Sequence, residues 1–143
     1  MSFRETSAWI SLVSILAVFG FYFTEVGLAL RAGPVAPEAF LDEYIGAVVL
    51  LVIVQIVLSI MSAIALRASG AAMQSARDER ERLIELKANR FALLIVQMGA
   101  VLGAGAIALG TPGYITANGL VLALALGELA RFGGQVVYYR IGV

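Results

Sequence analysis

Cysteine and histidine are both absent from the 143 residues, and much chemistry is excluded with them. There is no thiolate nucleophile, disulfide, imidazole-ligated haem or iron–sulfur cluster, and no Ser-His-Asp triad. Zinc would be left with carboxylates alone, a poor match to its preferences. Neither a cofactor nor a metal site is expected, and no nucleophile, base and oxyanion group can be assembled into a catalytic site. Charge is scarce as well: 14% of residues are charged, against about a quarter in soluble domains. Formal net charge is zero, so no basic field would draw nucleic acid, and direct binding to it is not expected.

Apolar residues take the vacated share. They make up 61% of the chain, and mean hydropathy is +0.94. Four runs are long enough to cross a bilayer, which takes about 20 helical residues. They lie at 8–30, 44–66, 91–110 and 114–134, with Trp9 an interfacial anchor at the start of the first. The second is rich in β-branched residues, but in lipid a run of this length must satisfy its backbone internally and is helical. The first run also has some character of a secretory leader. It is longer than a usual leader core, carries Glu25 and precedes three further runs, which favours a retained span. The expected fold is all-α: a four-helix transmembrane bundle forming one domain over 1–143.

The connections set the orientation. Residues 31–43 contain Pro34 and Pro37 and hold one basic and three acidic residues. Thr111-Pro112-Gly113 reads as an uncharged tight turn, Pro presetting φ and Gly113 supplying a positive φ. Residues 67–90 instead hold Arg67, Arg77, Arg80, Arg82, Lys87 and Arg90. The positive-inside rule puts this segment in the cytoplasm, together with Arg4, Arg140 and both chain ends. Gly70 reads as the stop of the second helix and Ser75 as an N-cap, with Asp78 three positions on. The third helix would then run unbroken to Gly110, and residues 75–90 would project roughly 24 Å into the cytoplasm. Arg77/Glu81 and Asp78/Arg82, four apart, support it locally.

Gly99 and Gly103 form a GxxxG in the third span, and Gly119, Ala123 and Gly127 follow at four-residue spacing in the fourth. Such ridges let helices approach closely, either within one chain or between subunits. A symmetric homodimer is expected, the commonest oligomer. Polar residues within spans are candidates for function. Gln97 lies about 9 Å inside the cytoplasmic boundary and Glu128 about 10 Å, so the two are level. Arg131 follows Glu128 by three residues, and the three are expected to form one polar cluster. Its bland alternative is a structural pair, with Arg131 snorkelling to headgroups. Gln55 sits alone near mid-membrane, and Glu25 lies near the outer boundary. In the charged stretch, Leu83, Ile84 and Leu86 interrupt the charges with exposed-looking apolar groups. Asp78, Glu79, Arg82, Leu83 and Leu86 are the candidate partner-binding residues.

Arg77-Asp78-Glu79-Arg80-Glu81-Arg82-Leu83-Ile84-Glu85-Leu86-Lys87-Ala88 before a span resembles a signature of small bacterial four-span membrane proteins of unknown function. Leu124-Ala125-Leu126-Gly127-Glu128 and Tyr139-Arg140-Ile141-Gly142 are similar to their C-terminal end. The resemblance covers the second half of the chain; the first two spans match in hydropathy only. Members are often encoded beside a small helix-turn-helix regulator. This implies a protein of the bacterial cytoplasmic membrane whose cytoplasmic helix binds a soluble partner, a transcription regulator among the candidates. The other function class is a small homo-oligomeric transporter or channel working through a membrane carboxylate. Against it, Glu25 lies too near the outer end to be such a carboxylate, and the charged connector is longer than such proteins need. The internal Gly/Pro breaks that mark transporter substrate sites are also missing except at Gly133-Gly134.

Overall fold

Each hydropathy run coincides with a helix, although the third helix ends at Ala108 rather than at the expected Gly110, and there is no strand among the described residues. The computed structural model describes residues 3–33, 37–68 and 79–141. In order, α1 is Phe3–Ala32, α2 Pro37–Ala68, α3 Glu79–Ala108 and α4 Gly113–Ile141. At 29 to 32 residues apiece, each is about 45 Å long, against roughly 30 Å of hydrocarbon. Hydropathy marks the part that lipid would cover.

Three helices are long and apolar enough to cross a membrane, through Ala8–Ala32, Arg82–Ala108 and Gly113–Ile141. In α2, expected as another span, a shorter apolar stretch is described, Tyr44–Val54. Leu109 is 88% exposed and Val101 70%, an apolar surface that water does not tolerate at this extent. This is the composition and surface of a membrane protein. Polar side chains are quietened within the helices: the Thr24 hydroxyl donates to the Gly20 carbonyl at 2.7 Å, and Asn118 Nδ2 to the Tyr114 carbonyl at 2.8 Å.

The connection from α3 to α4 is tight, as expected, but a different glycine bends it. Gly110 has φ +77°, whereas Gly113 opens α4 without a positive φ. Gly110 N–H donates to the Ile107 carbonyl and Thr111 N–H to the Ala106 carbonyl, both at 3.0 Å. These two bonds form a Schellman cap, which needs the left-handed conformation just beyond the helix end. Pro112 then offers its carbonyl to Ile115 and Thr116 N–H. The expected glycine stop at Gly70 and the cap and ion pairs at Ser75, Arg77 and Asp78 lie outside the described residues.

The chain divides into two compact units. The first contains Met1–Ile15 and Arg80–Val143, hence the beginning of α1 with α3 and α4. Here α3 and α4 run antiparallel, with Gly99 against Ala123, Gly127 against Val96 and Gly134 against Ala88. Ile84, Ala88 and Ala92 are buried along this seam. The start of α1 lies beside the end of α4: Leu12 approaches Gly133, and the Arg140 guanidinium sits 5.6 Å from the Trp9 ring centre. Burial on α4 falls on two sides. Ala123 and Gly127 face α3, while Val121 and Ala125 are buried on the side about 160° away. The second unit, Leu16–Glu79, holds the remainder of α1 and all of α2. In it Phe19, Tyr22 and Val26 are buried, and Phe23 stacks on Phe19 and meets Tyr22 edge-on, with ring centres 6.3 and 5.1 Å apart.

Candidate functional site

Glu128 and Arg131 occupy adjacent turns of α4, three residues apart and therefore on one side of the helix. Arg131 Nη1 lies 3.4 Å from Glu128 Oε2 and 3.5 Å from Oε1. The pair is half-buried, at 37% side-chain exposure for Arg131 and 29% for Glu128. The guanidinium also lies 4.7 Å from the centre of the Phe132 ring, close enough for attraction to its π face. Arg131 Nε is buried without an acceptor among the described residues, so the hydrogen bonds described for the guanidinium are those to Glu128.

Gln97, expected as the third member, stands apart from this pair. Among the described residues no hydrogen bond joins it to Glu128 or Arg131, and its side chain is exposed. The reason is rotation about the helix. Two residues from Gly99 means about 160° around α3, so Gln97 points away from the seam that Gly99 makes with α4. Its level is also shifted, because Gly127 facing Val96 puts Glu128 level with Ile95.

The small-residue ridge is placed the same way. Gly99, Gly103, Ala123 and Gly127 lie in the α3–α4 seam, Gly103 against Leu120. Gly119 has nothing within 4 Å of the position a Cβ would take, and lines an outward groove of about 560 Å³ with Gly103 and Ala106.

The polar start of α3 is helical from Glu79 onward. Of the candidate partner-binding residues, Arg82, Leu83 and Leu86 are exposed, Glu79 begins the helix, and Asp78 lies outside the described residues. Ile84 departs from the expected exposed group, for it is 1% exposed. The antiparallel register explains this: the end of α4 runs alongside, with Gly134 leaving room for Ala88. The polar turns of α3 thus do not project alone. Sequence reasoning also missed the Trp9–Arg140 contact; the interfacial tryptophan was legible, but its cationic neighbour lies at the far end of the chain.

No protein-family model, curated protein or solved structure matches this chain.

Proposed function

We propose that the protein is a non-enzymatic adaptor in the bacterial cytoplasmic membrane whose α3 start holds a soluble partner. In this reading α2 is a fourth span, and the start of α3 and both chain ends lie in the cytoplasm. One observation carries it: a single stretch of helix is anchored on one side and bare on the other. Ile84 and Ala88 are buried while Leu83 and Leu86, flanked by Arg82 and Lys87, are more than half exposed. An apolar pair held on a fixed helix meets a partner with little ordering cost. The length of α2, 32 residues, supports a span, and the basic residues of 67–90 support the orientation. The resemblance of the charged stretch points to a DNA-binding regulator as the partner. Glu128 and Arg131 serve as a structural pair in the inner leaflet.

The test is capture of the regulator by the full chain in mild detergent. Wild type should retain it, and Leu83→Ser/Leu86→Ser should lose it at unchanged Tm. Equal retention by both would remove the platform from the reading.

A further inference from the structure

In the second unit, α1 and α2 line a cavity of about 220 Å³, walled by Phe19, Phe21, Tyr22 and Glu25 of α1 and Gly46 and Leu50 of α2. We propose that this cavity binds a monovalent organic cation, such as a quaternary ammonium group, with Glu25 as counter-ion. The proposal is independent of the adaptor reading.

Glu25 is the first reason. It lies seven residues inside the Ala8–Ala32 apolar stretch, about 10 Å along the axis from its end. Glu128, an acid within the Gly113–Ile141 stretch, has Arg131 beside it. Glu25 makes no hydrogen bond or ion pair among the described residues, and Arg31 is six residues on, about 9 Å along the helix and off its face. Near the outer boundary the Glu25 side chain is exposed, so its carboxylate is within reach of a mobile cation and has no fixed one to compete with it.

The remaining wall selects the kind of cation. Aromatic faces attract cations that carry little hydration, and quaternary ammonium groups most readily. A divalent metal needs six or more oxygens or a fixed set of ligands, and Glu25 is the only carboxylate on this wall. Among the described residues no acidic cluster could hold a metal. The surroundings agree in sign. Residues 25–43 carry four acidic residues and one basic, with Asp42 exposed one turn before Gly46. Space is available too, since a Cβ built on Gly46 meets nothing within 4 Å.

Benzyltrimethylammonium, small and permanently charged, is the probe, used in equilibrium dialysis of the full chain in uncharged maltoside micelles. Saturable binding to wild type is expected, weakened at least tenfold in Glu25→Gln and in Gly46→Leu, which fills the cavity and leaves the acid in place. Glu128→Gln should bind as wild type does. Neopentylbenzene, the neutral isostere, should not distinguish wild type from Glu25→Gln. Short-chain phosphatidylcholine displacing the probe, where phosphatidylglycerol does not, would make a lipid headgroup the source of the cation; no displacement would make it a free solute. Absence of saturable binding to wild type overturns the proposal. So does equal binding by wild type and a Glu25→Gln variant that keeps its helix content and Tm, an outcome that would leave an apolar crevice for lipid chains.

Discussion

A methyl added at Gly99 would overlap the Ala123 methyl, and one added at Gly127 would lie 2.6 Å from Val96 Cγ2, with the Ala92 carbonyl oxygen 3.4 Å away. Neither neighbour is the free end of a long side chain, so the helices would have to separate. We expect Gly99→Ala to cost about 1–3 kcal/mol, the usual range for overpacking, read as a lowered Tm in detergent. Gly119→Ala should leave Tm unchanged or raised; equal losses at both sites would mean that the seam lies elsewhere. The sequence ridge contained the right glycines and one wrong one for a geometric reason. A four-residue step advances about 40° around a helix, so Gly119 is about 80° from Gly127 and off the seam. The same arithmetic separates Gln97 from Glu128: distance from the turn fixes depth but not direction. The Glu128–Arg131 pair needed only a three-residue spacing, and so was legible. Removing one partner leaves a bare charge, which at a central membrane position costs roughly 2.5–3.5 kcal/mol on the lenient insertion scale, less here because the pair is half-exposed. Arg131→Ala should therefore melt lower than Glu128→Gln/Arg131→Ala. If the two variants melt alike, the charges are uncoupled.

At the scale of the element, helix type and order were written in hydropathy alone, and helix ends were not. Gly110 shows why. A Schellman cap depends on which residue follows the last turn, and Thr111-Pro112-Gly113 offered a glycine with equal claims on sequence grounds. The beginning of α3 shows a second limit. Arg82, Leu83, Ile84 and Leu86 read as one mixed exposed stretch until α4 is known to extend beside it. Ile84 then becomes an anchor, and Ile84→Ala should cost about 2–5 kcal/mol, as truncations of buried aliphatic residues do. Leu83→Ala, at 53% exposure, should leave thermal stability near wild type. Melting curves of the two single variants in one detergent would check this, and a larger loss at Leu83 would mean that α3 is turned the other way. In α4, exposed Leu122, Leu124 and Leu126 alternate with buried Ala123 and Ala125, a two-residue spacing usual in strands. On a helix buried on two opposite sides, small residues every second position satisfy both.

For the whole molecule, the lack of native cysteine makes orientation directly measurable. A single cysteine at Pro112 should react with a membrane-impermeant maleimide from outside intact cells, and one at Leu83 only after permeabilisation. Reversed labelling would invert the proposed topology. The α3–α4 turn has a bearing on how such a chain enters a bilayer. Residues 109–113 contain no ionisable side chain, and the cap already engages the Gly110 and Thr111 N–H groups and the Ile107 and Ala106 carbonyls. A connector of this kind brings no formal charge into hydrocarbon and few bare peptide groups. Residues 31–43, with four charges, would have to be carried across. On the proposed topology, the second half of the chain is therefore suited to insert as one hairpin, tip first.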